Sequence, residues 1–511
     1  MTNAINKILI VGGGTSGWLS AAYLAKRLAC NKPGSVQITL IESSDIPTLG
    51  VGEGTVPTLR RTLAAIGVNE ADFMRECTAT FKQGIFFRNW AHAPSNKQEE
   101  NEYFHPFEHP KNTELLPYWL QGHAGDQNYS AAVSPQEHVC RAGLGPKLAN
   151  DPGYNGRLNY AYHLDAGLFA EFLKKHCKSM GVEHVIGTVQ SVQQKENGDI
   201  TSITCEDGST LSADLFIDCS GFNARLLEGC YAVPFINKND ELFVNKALAV
   251  QVPYQPNETI PPYTIATAHE AGWTWDIALS SRRGVGYVYS DRYTTDEQAE
   301  QVLKKYVGPA FETLSPRKLN LHVGYREKHW VNNCVAIGLA GGFLEPLEST
   351  GIMLVEVGVQ MLANYFQRNG NFAAARRSYN ELMRHRYEYT LDFIKLHYFL
   401  AGRDDNDFWR DNRAEKTVSD RLLDKLAMWR SRPICGYDLV TDYDVFTLGS
   451  YQYILYGLGF KTELQLDYPH GEFARKEFAN ITAASKQACA NLPSHQALLS
   501  SIYAITRSKT E

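Results

Sequence analysis

At 511 residues, 44% of them hydrophobic and 21% charged, the chain has the composition of an ordinary globular protein long enough for a large core. A net charge of −6, with no basic stripe, argues against phosphate-backbone binding, so no nucleic-acid partner is expected. No run of about eighteen apolar residues occurs and no basic segment precedes an apolar stretch at the N-terminus, so neither a membrane span nor a secretory signal is expected and the expected compartment is cytoplasmic.

The ten cysteines are scattered, without a CxxC pair or Cys/His metal spacing, which fits reduced thiols and no metal centre. The apolar run Ile8–Val11 passes directly into Gly12-Gly13-Gly14-Thr15-Ser16-Gly17 and then into a helical pattern from Trp18. Such a strand, glycine turn and helix suits a pyrophosphate. Gly12 permits the turn, Gly14 leaves room for phosphate, Gly17 lets helix and strand pack, and the helix start, with Thr15 and Ser16, offers free N–H groups. A second apolar run, Val36–Ile41, ends in Glu42, where a carboxylate is expected to bond a ribose hydroxyl. The glycine-rich stretch Leu49–Pro57, including Val51 and Gly52, follows as a loop suited to wrapping a cofactor or to a plain turn.

From about 90 to 160 the pattern predicts a long irregular region containing the aromatic cluster Tyr103-Phe104-His105-Pro106-Phe107, suited either to packing or to lining a pocket for a flat substrate. A helix is predicted over Leu164–Gly181, then strands at 189–192, 200–205 and 215–218, the last running into Cys219-Ser220-Gly221. A second sheet is predicted over about 235–325, with Trp273 and Trp275 on one face of a strand. The strand at 333–337 enters a third glycine-rich crossing containing Leu339, and a helix is predicted from Ile352 to Phe366. Glu348, Ser349 and Thr350 at its start suit either helix capping or chemistry. The chain from Ala373 onward reads as mostly helical.

The crossings near residues 12, 219 and 338 resemble the FAD-contacting segments of glutathione-reductase-like and hydroxybenzoate-hydroxylase-like flavoproteins. A sharper resemblance is to the flavin-dependent tryptophan halogenase family. It rests on Gly12–Trp18, Gly50-Val51-Gly52-Glu53, Thr80-Phe81-Lys82-Gln83-Gly84, Asp218–Gly221, Gly272-Trp273-Thr274-Trp275, Phe343–Gly351, and Arg403-Asp404-Asp405 with Trp409, in that order.

The resemblance implies an α/β fold of the FAD-binding kind with a second, mostly β block and a helical C-terminal substrate region. The expected division is an FAD-binding module over 1–370 and a mainly helical substrate side over 371–511. The implied activity uses reduced FAD, O₂ and chloride or bromide to make hypohalous acid. Lys82 then relays it, as haloamine or as hydrogen-bond donor, to an electron-rich aromatic ring, with Glu348 assisting. Implied FAD contacts are Gly12, Gly14, Thr15, Ser16, Gly17, Glu42, Val51, Gly52, Leu339, Gly351 and Ile352. The halide is placed at the N–H groups of Thr350 and Gly351, the tunnel at Trp273 and Trp275, and the substrate ring between His105 and Phe107.

Members acting on free tryptophan carry a Tyr-Tyr pair, a glutamate and a Phe-Trp pair shortly before the Gly-Leu-Gly that corresponds to Gly457-Leu458-Gly459. Here Phe446 stands in place of that tryptophan and Thr441 roughly in place of the glutamate, so an indole-like substrate is expected rather than free tryptophan. With no second dinucleotide fingerprint, reduced FAD is expected from a separate NADH-dependent flavin reductase; a homodimer is compatible with the sequence. Two other readings share the scaffold. An FAD-dependent aromatic monooxygenase would lack a use for Lys82 and the paired tryptophans, and a non-catalytic binding protein akin to GDP-dissociation inhibitors would have none for Glu348.

Overall fold

The computed structural model describes residues 4–45, 52–94, 101–440 and 443–504; Val51 and Thr441 lie outside them. The opening apolar run forms the strand Lys7–Val11, whose last four residues are buried. It lies inside a six-stranded sheet, parallel to Leu215–Asp218 on one side and Gln37–Glu42 on the other. Cys334–Ala336 and Glu183–Ile186 extend the parallel set outward. Burial on both faces is what a parallel sheet demands of such continuous apolar runs.

The turn after the first strand admits only glycine at two points. Gly12 has φ +114°, and a Cβ there would stand 2.2 Å from the Cys219 carbonyl oxygen. A Cβ on Gly17 would stand 1.8 Å from the Gly12 carbonyl oxygen. The helix that follows, Thr15–Arg27, has no side-chain cap and no acidic residue in its first turn, which leaves its N–H groups open to an anion.

A seven-stranded sheet forms the second layer, in the order Arg317–Asn320, Lys246–Pro253, Arg282–Tyr289, Gly272–Ala278, Thr264–His269, Gly84–Arg88 and Glu102–Pro106. All its pairings are antiparallel except Thr264–His269 with Gly84–Arg88. The sheet predicted over 235–325 thus recruits two strands from earlier in the chain. One of them is the aromatic cluster, which the sequence reading had placed in an irregular region. Phe104 faces Phe86 and Tyr103 faces Phe87 across the strand pair, with ring centroids 4.2 and 4.8 Å apart. Cross-strand aromatic pairs of this kind favour a strand over a loop.

The rest of that region holds short helices at Leu116–Leu120, Tyr129–Val133 and Gln136–Arg141. Leu164 belongs to a strand, Ala161–Asp165, because the Asp165 side chain caps the helix Ala166–Ser179 by accepting from the N–H groups of Gly167 and Leu168. Toward the C-terminus a 28-residue helix, Ala373–Leu400, is followed by five further helices, at Asp407–Asn412, Asp420–Ser431, Leu448–Gly457, Gly471–Asn491 and His495–Ala504. Among the described residues no helix is long and apolar enough to cross a membrane.

Gly12→Ala is expected to cost about 2–3 kcal/mol through left-handed strain and overpacking against Cys219. A thermal midpoint within error of the parent would refute this.

Candidate active site

The three glycine crossings converge on one cavity of about 720 Å³. Gly12, Gly14, Thr15, Ser16, Glu42, Gly52, Leu339, Gly351 and Ile352 all line it, as do Trp273, Trp275 and Thr350. Gly17 has the packing role described above. Glu42 lies against Gly13, where a Cβ would fall 1.7 Å from its Oε2, while Oε1 accepts from His184 Nε2 at 2.8 Å and Lys174 Nζ at 3.3 Å. One oxygen is anchored and the other turns toward the turn that would hold a dinucleotide.

A second centre lies beyond the Leu344–Thr350 loop. Lys82, fully buried on the short strand Thr80–Lys82, donates from Nζ to Ser349 Oγ at 2.7 Å and lies 5.1 Å over the Phe107 ring. Burial lowers its ammonium to about 7, with the Glu348 charge opposing the shift. Both protonation states are therefore populated near neutrality.

Glu348 is not a helix cap. Ser349 is the N-cap of the helix Thr350–Tyr365, in a left-handed conformation (φ +58°) and with no side-chain capping bond. The Glu348 carboxylate is only 1% exposed and accepts from His105 Nδ1 at 3.0 Å. His397 Nε2 stands 2.9 Å from Oε1. Burial pushes the carboxyl up, but His105 and His397 together hold it at about 2. Behind His397, its Nδ1 meets the Tyr103 hydroxyl at 2.8 Å. Burial lowers His397 itself, against the pull of Glu348.

The predicted residues thus fall into two connected groups, and His105 is a partner of Glu348 as well as a candidate ring contact. Phe446 is buried and stacks on Phe393 at 3.7 Å, and the Phe393 ring is 5.9 Å from that of His105. Sequence reasoning missed His397, Phe393, Tyr398 and Glu345. The available signal was a histidine at i+4 from Phe393 on a helical stretch rich in apolar residues.

A model of the tryptophan halogenase family matches residues 7–468. The chain belongs to this family. Tryptophan 7-halogenase RebH of Lentzea aerocolonigenes is 36% identical over 84% of this chain and 83% of its own length. The crystal structure of a tryptophan halogenase from Shewanella frigidimarina is 38% identical, covers 98% of both chains and superposes with a TM-score of 0.94. BrvH, a flavin-dependent halogenase from Brevundimonas sp. BAL3, is 33% identical over 97% of this chain and 99% of its own, with a TM-score of 0.86. Members of the family are flavin-dependent halogenases of aromatic substrates, which fixes the class of activity and implies FAD and halide. The cavity suits that cofactor: a Cβ on Gly14 or Gly351 would meet nothing within 4 Å, whereas Gly12 is closed from behind by Cys219, leaving a backbone cradle open on one side.

Glu348, at about 2 against its ordinary 4.5, stabilises the fold above about pH 4.5, and that contribution vanishes as the pH falls through 2. His105→Ala leaves the carboxylate with one imidazole, so its pKa rises and stability at neutral pH falls by about 3 kcal/mol. An unchanged melting temperature at pH 7 would contradict this account.

Proposed function

We propose that the protein is a halogenase of indole-like aromatic substrates in which Lys82 delivers the halogen and Glu348 serves the reacting ring. The observation that carries this reading is that buried Lys82 bonds Ser349, which lines the glycine-cradled cavity and adjoins buried Glu348. The N–H groups at the start of Thr15–Arg27 and the cradle at Gly12 and Gly14 bind the pyrophosphate, Glu42 takes a ribose hydroxyl, and Gly52, Leu339, Gly351 and Ile352 line the flavin. Val51 belongs to this set by sequence. The N–H groups of Thr350 and Gly351 hold the halide. When bound and reduced, FAD supplies the O₂ chemistry that oxidises that halide to hypohalous acid.

Trp273 and Trp275 wall the route from this cavity toward Lys82. As an ammonium, Lys82 donates a hydrogen bond to the hypohalous oxygen and sharpens the halogen as an electrophile; as an amine it attacks the halogen, the O–halogen bond breaks, and the hydroxide leaves with the amine proton as water. Its position near 7 supports either form. Glu348, held ionised, stabilises the cationic ring electrostatically. So weak a base still suffices for the last step, because a halogenated ring cation is itself a strong acid. His105 and Phe107 flank the ring.

The substrate end favours an indole without the amino-acid group. Asp438, one of the carboxylates between 433 and 446, is occupied by Arg432 and the Trp429 indole. Asp444 accepts from the Tyr451 hydroxyl and the Val440 N–H. Neither is free to clamp an ammonium, and Phe446 buries its ring against Phe393. A division into a flavin module over 1–370 and a substrate side over 371–511 accords with these roles, as does a separate NADH-dependent flavin reductase.

Incubation with FAD, a flavin reductase, NADH, O₂ and chloride or bromide should yield halogen isotope patterns in the mass spectra of an indole panel. Hydroxylated products alone would instead establish a monooxygenase. Lys82→Ala is expected to lower halogenation by about 100-fold or more while flavin absorbance stays with the protein; persistent product would remove Lys82 from the mechanism. Free tryptophan should be turned over more slowly than indole, and the reverse order would refute the assignment of 433–446.

A further inference from the structure

The loop that carries Glu348 carries a second buried acid three residues earlier. Glu345 is 1% exposed, and its Oε2 accepts two hydrogen bonds, from the Tyr398 hydroxyl at 2.9 Å and from the Trp273 indole N–H at 3.4 Å. The Oε1 atom has no partner among the described residues. Tyr398 is the neighbour of His397, which faces Glu348, so loop and long helix are joined by two adjacent rungs, Glu348 to His397 and Glu345 to Tyr398. Burial raises Glu345 to about 8, with Tyr398, Trp273 and Lys395 pulling the other way, so its acid form is favoured at neutral pH, whereas Glu348 is held ionised.

We infer that Glu345 is a positioning residue: it anchors the Trp273 indole by its N–H, and so fixes the wall between the flavin cavity and the Lys82 centre. This rests on the proposed halogenase reading for its consequence, though not for its geometry. Trp273 is packed in the core at 1% exposure, and its N–H donates to Oε2. Its ring meets Trp275 edge-on at 6.4 Å and 63°, and both rings line the cavity. Without Oε2 the indole keeps a buried N–H that has lost its acceptor, which favours any tilt that supplies one, in a wall that an oxidant must pass. Hypohalous acid then escapes or is consumed before reaching Lys82, and the loss appears in coupling, the halogenated product formed per O₂ used, rather than in flavin binding.

The test compares Glu345→Gln with Glu345→Leu. Glutamine retains a carbonyl acceptor for both donors and is expected to match the parent, whereas leucine retains none. In the apoprotein labelled with ¹⁵N-indole tryptophan, with the Trp273 resonance assigned by Trp273→Phe, Glu345→Leu should shift and broaden that N–H signal and Glu345→Gln should restore it. With FAD bound as tightly as in the parent, Glu345→Leu should lower coupling by about five-fold, the ratio released by losing one ordinary buried hydrogen bond, with free hypohalous acid rising in a chemical trap. Should the leucine variant fail to fold, Glu345→Met gives the same comparison with a longer, unbranched side chain. An unmoved indole resonance, or unchanged coupling despite a moved one, overturns the inference. If the parent makes no halogenated product, the halogenase reading fails while the indole resonance still decides whether Glu345 holds Trp273.

Discussion

A carboxylate that is 1% exposed requires compensation from its surroundings, and the placement of that compensation organises this molecule. Glu348 sits on the loop between the short strand Gly342–Phe343 and the helix Thr350–Tyr365, His105 on the edge strand of the seven-stranded sheet, and His397 on the 28-residue helix. The three architectural parts meet at one negative charge. Desolvation alone would neutralise the group; the two imidazoles keep it ionised. Lys82, 0% exposed, shows the complementary outcome, since the one anion acting on it does not offset its burial and its ammonium falls to about 7. One site therefore holds a weak base and a readily deprotonated amine, the amine bonded to the residue next to the carboxylate.

The second sheet gives these groups their precision. Ile85 pairs with His105 and Gly84 with Pro106, so the strand that continues from Lys82 also fixes where His105 points. Slipping that pairing by one residue would turn His105 to the opposite face. The aromatic pairs Phe86 with Phe104 and Phe87 with Tyr103 hold the register, and Tyr103 extends the constraint through its hydroxyl to His397. Packing and polar positioning are here carried by the same side chains.

Legibility from sequence followed the reach of each signal. The first turn, Gly12 to Gly17, was readable because strand, glycines and helix are contiguous and each glycine answers a local steric demand. Lys82 and Glu348 carry no such local signal; they were found through resemblance, and the structure brings them to either side of Ser349 through burial and partners that no spacing encodes. His397 and Glu345 stayed hidden because each matters only through a contact distant in sequence: Glu345 to Trp273 spans 72 residues. The aromatic stretch at 103–107 was misread as irregular because its pairing partner, Gly84–Arg88, lies across an intervening segment, and alternation over five residues is weak evidence alone.

The left-handed turn at Ser349 has a further consequence. It lies between Glu348, which faces the histidines, and Thr350, which lines the cavity. Those two residues are separated by a single position, so their Cα atoms cannot lie more than about 7 Å apart whatever the surrounding helices do. On the proposed chemistry, the anion end and the ring end of the reaction are tied by a covalent ruler rather than by the docking of two bodies. Opening of the cavity around the flavin can then leave the spacing of those two residues unchanged.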